Sequence, residues 1–310
     1  MKIFAVRRDG CYNKAMDKAL IIFSPTAGLA TKEDVGKIVS AKLADLGYRP
    51  VILVLDFDFE KNIEQLDLSA VKLVAAVGGD GTVKVAAREI LNRRIKAPLA
   101  IIPFGSANVL AATLKIPLGL KESLALLDNP KAVRIDVGRL NHDRYFLVGF
   151  SIGYISSIVI NTKRELKNRF GSVSYVLHLM WNKIRIPRIK FRIETQNRIF
   201  WIKGNSLIVL NTFNFYGFSP KKDISITDGI LNLYVITNKT FWTMAEAALG
   251  VLLYAKPRKH IFALDNKYFK LRVKRKRFLK TAQIDGDQIR VSKNIEIEVW
   301  PQALAVLVKD

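Results

Sequence analysis

The sequence predicts an α/β fold followed by a β fold: an N-terminal Rossmann-like three-layer αβα domain and a C-terminal antiparallel β-sandwich-like domain. Three observations predict this class. The chain has 310 residues, more than one hydrophobic core usually serves. Up to about residue 135, short apolar runs alternate with helical patterns, which is typical of a parallel sheet. After that point, short segments rich in β-branched and aromatic residues are typical of antiparallel strands.

The first domain is predicted to span residues 1–135, and residues 301–310 are expected to return to it. Its strands are short continuous apolar runs, as expected for strands buried on both faces. Its helices have apolar residues three or four positions apart, and Thr82 is predicted as an N-cap. The predicted strands are residues 19–23, 51–55, 71–77 and 99–102, and the predicted helices are residues 31–46, residues 82–94 and one that opens at residue 109.

The second domain is predicted to span residues 136–300. Asp-Gly pairs at 228–229 and 285–286 mark turns between its strands. Two helices are predicted near residues 171–183 and 240–254. The predicted strands are residues 144–150, 189–194, 199–203, 206–210, 230–236, 269–273, 281–284 and 296–299.

A glycine-rich loop joins the strand at residues 71–77 to the helix that follows it. Gly78, Gly79 and Gly81 allow the backbone to approach a ligand without interference from a Cβ atom. The N–H groups at the start of the helix, together with its dipole, favour an anion there. A phosphate chain is therefore the expected ligand. Asp80 would repel bare phosphate, which indicates a bridging cation or a specific contact.

Two further polar loops follow buried strands of the same predicted sheet. Ser24 to Gly28 follow the first strand, and residues 103–108, with Gly105, Ser106 and Asn108, follow the fourth. Ligands of open α/β sheets bind beyond the carboxyl ends of the strands. We therefore expect all three loops to line one cleft.

The segment Gly-Gly-Asp-Gly-Thr at 78–82 resembles the nucleotide loop of the diacylglycerol-kinase-like lipid kinases, which include sphingosine and ceramide kinases. Other marks of this family occur in the same order over roughly residues 19–308, and the bacterial soluble members are the most similar. The matching segments are Ser-Pro-Thr-Ala-Gly at 24–28, Pro-Phe-Gly-Ser-Ala-Asn at 103–108, Asp-Val-Gly at 136–138, Phe-Gly-Ser-Val-Ser-Tyr at 170–175, Asp-Gly-Ile-Leu at 228–231 and Ile-Asp-Gly-Asp at 284–287.

The resemblance implies ATP-dependent and Mg²⁺-dependent phosphorylation of a lipid hydroxyl group. It implies that Asp285 is the general base and that Asp80 takes part in catalysis. It also implies a structural Mg²⁺ held by the Asp228 carboxylate and the main-chain carbonyls of Ser225 and Ile230. The implied nucleotide contacts are Ser24, Gly28, Gly78, Gly79, Asp80, Gly81, Thr82, Gly105, Ser106 and Asn108.

Three departures from the family pattern concern acidic groups. Lys84 and Val85 stand where many members have Asn-Glu, and Val109 stands where many have Asp. Asp287 replaces a Glu in the last turn. Whether the missing acids at Val85 and Val109 change metal use or activity stays open.

The net charge of +23 indicates an anionic partner. With the implied lipid substrate, it predicts a cytoplasmic protein that associates peripherally with an anionic membrane surface. We expect no nucleic acid partner, because no nucleic-acid-binding signature is present. The single cysteine excludes an internal disulfide, and no secretory signal or transmembrane run is visible. The sequence leaves a homodimer open.

Other functions stay open beside the lipid kinase. An NAD kinase carries a related nucleotide loop, and a catalytically weak relative that only binds lipid or nucleic acid would share most of the motifs. The acceptor lipid is also open, since diacylglycerol, a monoacyl or sphingoid alcohol and phosphatidylglycerol all fit.

Overall fold

A computed structural model of the chain describes residues 17–25, 32–154, 156, 188–212, 224–237, 260–274 and 282–309. The chain divides into two compact units: Met1–Ile135 with Gln302–Asp310, and Asp136–Pro301. Among the described residues, no helix combines the length and the apolar character that crossing a membrane requires.

The first unit alternates strands and helices, as its apolar runs predict. Gly47 follows the first helix with φ +86°, a left-handed conformation that favours glycine and ends a helix. In chain order the elements are β1 (Lys18–Phe23), α1 (Lys32–Asp45), β2 (Arg49–Val54), α2 (Phe59–Glu64), β3 (Val71–Gly78), α3 (Asp80–Asn92), β4 (Leu99–Pro103), α4 (Val109–Thr113), α5 (Leu120–Ala125) and a 3₁₀ turn (Leu126–Asp128).

A parallel sheet forms the centre of this unit, in the strand order β2–β1–β3–β4. Residues 302–309 add another parallel strand beside β4, where Val306 pairs with Leu99. The central strand β3 is buried except at Lys72, which explains its almost unbroken apolar sequence. Because these strands are parallel, β1, β3 and β4 all end at the same edge of the sheet.

The prediction for the first unit needs two corrections. Helix α3 begins at Asp80 with Gly79 as its N-cap, so Thr82 is not the N-cap that the sequence predicted. Strand β2 begins at Arg49, two residues before the predicted start. Helices α2 and α5 were not predicted, because six residues are too short to show a helical period.

The second unit consists mainly of antiparallel strands. In chain order they are β5 (Pro130–Leu140), β6 (Arg144–Phe146), β7 (Gly149–Gly153), β8 (Ile189–Glu194), β9 (Ile199–Gly204), β10 (Ser206–Leu210), β11 (Leu231–Ile236), β12 (Ile261–Asn266), β13 (Tyr268–Val273), β14 (Ala282–Ile284), β15 (Asp287–Ile289) and β16 (Asn294–Lys309). Two of its strands, β5 and β16, also have residues in the first unit.

Two antiparallel sheets build this unit. One has the order β12–β11–β10–β7–β14–β15, and the other contains β13 between β16 and β8, with β9 at its edge. One buried cluster draws side chains from both sheets, including Phe150 and Leu233 from the first and Phe191, Phe269 and Ile297 from the second. The predicted fold class, a parallel α/β sheet with a separate antiparallel β portion, is confirmed.

Two strand predictions for the second unit were wrong in extent. The predicted strand at residues 144–150 is two strands, β6 and β7, because the N–H groups of Leu147 and Val148 donate to the Asp285 side chain. The predicted strand at 296–299 and the returning tail form one strand of 16 residues, β16. The helices predicted at residues 171–183 and 240–254 lie outside the described residues.

We predict that Phe269→Ala lowers the free energy of unfolding by about 3–5 kcal/mol, because it leaves a cavity in the two-sheet core. Phe269 is fully buried, whereas Phe57 is fully exposed on the loop after β2. Phe57→Ala is therefore the matched control and should change stability by less than about 0.5 kcal/mol. Urea unfolding followed by circular dichroism measures both, and equal effects would contradict the assigned core.

Candidate functional site

The loops after β1, β3 and β4 lie side by side at the carboxyl edge of the parallel sheet. The Ser24 N–H group donates to the carbonyl of Val77 at 3.1 Å, which places the first loop beside the end of β3. The Phe104 N–H group donates to the carbonyl of Gly78 at 2.8 Å, which places the third loop on the other side. The structure therefore brings together the predicted residues of all three loops, apart from Gly28, which lies outside the described residues.

The second and third loops touch through glycine backbones. A Cβ atom placed on Gly105 would lie 2.5 Å from the Cα atom of Gly79, a distance that real Cβ contacts do not reach. A Cβ atom placed on Gly79 would lie 3.1 Å from the Cα atom of Gly105. Packing by itself therefore requires a glycine at position 105. The two loops form one continuous backbone surface.

The carboxylate of Asp80 links the same two loops. Its Oδ1 atom accepts a hydrogen bond of 2.7 Å from the backbone N–H group of Val109, the first residue of α4. An acceptor at this position satisfies one of the donors left open at a helix start. Val109 contributes a backbone donor to this contact. Many of the lipid kinases that the sequence resembles have an acidic residue at this position. Asp80 therefore braces the loops, a role that sequence reasoning did not assign to it.

Asn108 holds the third loop in shape from within. It is buried and adopts a left-handed conformation with φ +47°, which asparagine tolerates better than most residues. Its Oδ1 atom accepts the N–H group of Gly105 at 3.1 Å, and its Nδ2 atom donates to the carbonyl of Gly105 at 2.8 Å. The side chain thus closes the turn onto itself, while the neighbouring Ser106 is exposed.

The start of α3 presents open donors. The carbonyl of Gly79 accepts the N–H groups of Thr82 and Val83, but those of Asp80 and Gly81 have no acceptor among the described residues. Gly81 is exposed. The Thr82 side chain is buried over Gly78, where a Cβ atom would lie 2.2 Å from its Oγ1 atom. The first turn can therefore bind an anion through its backbone.

In the second unit, Asp285 is held by three consecutive backbone donors. Its Oδ2 atom accepts the N–H group of Leu147 at 2.9 Å, and its Oδ1 atom accepts those of Val148 and Gly149 at 3.0 and 2.9 Å. Asp285 has φ +47°, in the left-handed region. This carboxylate has a fixed orientation, and it also ties the turn after β14 to the segment between β6 and β7.

A partly buried chain of polar side chains that the sequence did not reveal supports this turn. The Gln283 Oε1 atom accepts the N–H group of Gly286 at 2.6 Å, and its Nε2 atom donates to the Ser151 hydroxyl at 2.8 Å. The Ser151 hydroxyl in turn lies 2.8 Å from that of Ser156. Since Gln283 sits within a predicted strand, only its spacing of two residues from Asp285 could have drawn attention to it.

The turn that carries Asp228 lies elsewhere in the second unit. Its Oδ1 atom accepts the N–H group of Ile230 at 2.9 Å, and the buried Asp136 accepts the N–H group of Gly229 at 2.6 Å. Partial burial of the Asp228 carboxyl raises its pKa, although the residue as a whole is exposed, and the nearby carboxylates of Asp136 and Asp265 raise it further. Negative charge therefore accumulates at this turn.

The predicted ligand atoms at the Asp228 turn are of the kind that a hard cation prefers. Ser225, Asp228 and Ile230 lie within six residues of one turn, and the predicted ligands are all oxygen atoms, which Mg²⁺ and Ca²⁺ prefer. In the described part of the chain, no group of three His, Cys, Asp or Glu side chains is placed to hold a metal. The predicted set is of a different kind, with one carboxylate and two main-chain carbonyls.

The family model of the diacylglycerol kinase catalytic domain matches residues 18–140. The chain is 26% identical over 252 residues to a probable YegS-like lipid kinase of Pectobacterium atrosepticum, covering 78% of this chain and 79% of that protein. It is 26% identical over 259 residues to the probable YegS-like lipid kinase of Yersinia pestis strain Pestoides F, covering 80% and 82%.

The fold is also similar to that of a solved structure. The crystal structure of a diacylglycerol kinase from Bacillus anthracis matches with a TM-score of 0.71 and 20% sequence identity, over 95% of this chain and 97% of that one. At 20% sequence identity, this structural similarity shows a shared fold and nothing about activity.

We predict that Gly105→Ala lowers stability by about 1–3 kcal/mol, because the added methyl group collides with the Gly79 backbone. Gly81→Ala is the matched control. A Cβ atom there meets no heavy atom within 4 Å, and alanine favours a helix, so stability should stay the same or rise. Thermal unfolding of both variants tests the loop packing, and an equal melting temperature for Gly105→Ala and the wild type would contradict it.

Proposed function

We propose that this protein transfers the γ-phosphate of ATP to the hydroxyl group of a lipid, in keeping with the match of residues 18–140 to the diacylglycerol kinase catalytic domain. The observation that carries the proposal is the joined backbone surface of the Gly79 and Gly105 loops, with open N–H groups at the start of α3.

The ATP phosphates bind, in this proposal, at the first turn of α3. The N–H groups of Asp80 and Gly81 donate to phosphate oxygens, and the positive end of the helix dipole favours their charge. The exposed Ser106 hydroxyl adds a donor from the neighbouring loop. Mg²⁺ bound with ATP supplies neutralisation of the phosphate charge. The hydrogen bond from Val109 to Asp80 holds the two loops together. Asp80 therefore contributes to transfer partly by positioning the phosphate-binding backbone.

Asp285 is the proposed general base for the acceptor hydroxyl. Phosphoryl transfer needs a group that orients the attacking hydroxyl and accepts its proton. Three N–H donors fix the orientation of the Asp285 carboxylate. The chain Gln283–Ser151–Ser156 supports the turn that carries Asp285 through the N–H group of Gly286.

The lipid substrate and an anionic membrane surface are the proposed partners. The names of the relatives specify lipid kinases, and the net charge of +23 favours an anionic surface. A screen of lipid alcohols with radiolabelled ATP and Mg²⁺ tests the function, with diacylglycerol, a sphingoid alcohol, phosphatidylglycerol and NAD as acceptors. Label in an organic extract supports the proposal. Transfer only to NAD would identify a nucleotide kinase, and transfer to no acceptor would indicate a binding protein.

We predict that Asp285→Asn lowers turnover by about 10²- to 10⁴-fold, because the amide cannot accept the hydroxyl proton. The KM for ATP should change little, since the nucleotide loops belong to the other unit. An asparagine also turns an NH₂ group toward backbone donors, so the melting temperature should fall. Turnover is therefore measured well below the melting temperature of the variant.

Asp287→Asn is the matched control, because Asp287 is exposed two residues further along. We expect it to cost much less turnover. If Asp285→Asn has wild-type turnover at a low temperature where the variant is fully folded, Asp285 has only a structural role. Another residue must then be the general base.

We predict that Mg²⁺ raises the melting temperature of the wild type but not that of Asp228→Asn. Because the pKa of Asp228 is raised on folding, its ionised form destabilises the native state at neutral pH. Without divalent cations, the variant should therefore match or exceed wild-type stability at pH 7, and this advantage should vanish below about pH 4, near the unfolded pKa. The amide oxygen still accepts the Ile230 N–H group. An equal gain from Mg²⁺ in both proteins would contradict this site.

A further inference from the structure

The outer face of the β8–β9 hairpin is an exposed surface of unusual composition. Strand β9 lies at the edge of its sheet, and β8 separates it from β13. Alternate residues of these strands point away from the two-sheet core. We call this surface the hairpin face, and its residues are Lys190, Arg192, Glu194, Ile199, Trp201, Lys203 and Arg272.

Two large apolar side chains of the hairpin face are exposed. Ile199 is 52% exposed and Trp201 is 48% exposed, and both belong to the edge strand β9. The Lys190 ammonium group lies 4.4 Å from the centre of the Trp201 ring. This cation–π contact orients the ring and keeps a cation beside it. An apolar edge flanked by cations thus lies on the outside of the sheet.

Like charges oppose one another across the strands. Lys190 pairs with Lys203 in the register of β8 and β9, and Arg192 pairs with Arg272 in that of β8 and β13. Directly opposed like charges destabilise a sheet. Arg192 has an acidic partner, Glu194, but Lys190, Lys203 and Arg272 form no ion pair with the described residues. These cations lack a counter-charge within the described chain.

The neighbouring part of the same sheet is different, because its cations are neutralised. Lys270 lies 2.9 Å from Glu296, and Arg139 lies 2.8 Å from Glu298. His142 bridges the same two carboxylates. The cations of the hairpin face that form no ion pair therefore lie beside a part of the sheet whose cations are paired.

We propose that the hairpin face docks on the surface of an anionic lipid bilayer, with Ile199 and Trp201 entering the interface and the cations contacting headgroups. Tryptophan is enriched at membrane interfaces, and basic side chains near the surface are attracted to anionic lipids. Nucleic acid fits less well, because Lys190 covers one face of the ring on which a base would stack, and Ile199 offers no stacking surface. This inference rests on the proposed function only in that a lipid kinase must reach its substrate in a membrane.

Vesicle binding tests this surface without any measurement of activity. We expect Lys190→Gln with Lys203→Gln to weaken binding to mixed phosphatidylcholine–phosphatidylglycerol vesicles by about 5- to 25-fold at low salt. The matched control is Lys37→Gln with Lys121→Gln, two exposed lysines of the first unit, which removes the same charge. Equal weakening by the control would overturn the proposal, because overall charge would then suffice.

The fluorescence of the Trp201 indole reports contact with the bilayer directly. Brominated lipids should quench part of the tryptophan fluorescence of the wild type. Trp201→Thr should remove that part, and threonine is a β-branched residue that suits a strand. Phe57→Thr is the apolar control, since Phe57 lies exposed between Asp56 and Asp58 and should leave binding unchanged. Unchanged quenching in Trp201→Thr would overturn the proposal. So would tighter binding of the wild type to duplex DNA than to these vesicles at equal salt.

A lipid alcohol dispersed in neutral detergent separates this inference from the proposed function. If both hold, the double lysine variant phosphorylates the dispersed alcohol at the wild-type rate but the vesicle-embedded alcohol more slowly. If the wild type phosphorylates no lipid alcohol in detergent, the proposed function fails, while the vesicle and quenching results still decide the docking surface.

Discussion

The close approach of the Gly79 and Gly105 backbones is the constraint on which the nucleotide loops depend. It leaves no room for a Cβ atom on Gly105, and it places the loops after β3 and β4 in direct contact. The hydrogen bond from Val109 to Asp80 and the closed turn of Asn108 then hold the two loops at that distance. The start of α3, in the first of these loops, has open N–H donors because the first turn of any helix leaves N–H groups without intrahelical partners.

Two carboxylates that the resemblance associates with catalysis also hold the backbone. Asp80 satisfies the start of α4, and Asp285 satisfies three donors between β6 and β7. Each therefore combines a fixed orientation with a structural task. Removing either changes geometry and charge together, so loss of activity alone does not reveal which contribution matters. Readouts of folding and of chemistry are needed side by side.

Local patterns in the sequence predicted the parallel sheet, because buried runs such as residues 71–77 end in glycine-bearing loops. They also predicted which loops meet, since the carboxyl ends of parallel strands share an edge. They could not predict that residues 144–150 break into two strands, because the cause is Asp285, far away in the chain. The bracing role of Asp80 and the register that opposes Lys190 to Lys203 are likewise long-range contacts with no local signature.

The central claim is that the start of α3 binds the phosphates of ATP, and a structure of the protein with Mg²⁺ and a non-hydrolysable ATP analogue tests it most directly. The account predicts phosphate oxygens about 2.7–3.2 Å from the backbone nitrogens of Asp80 and Gly81, with the Asp80–Val109 hydrogen bond retained. A nucleotide bound away from the Gly79 and Gly105 loops, or phosphates with no contact to these N–H groups, would contradict it.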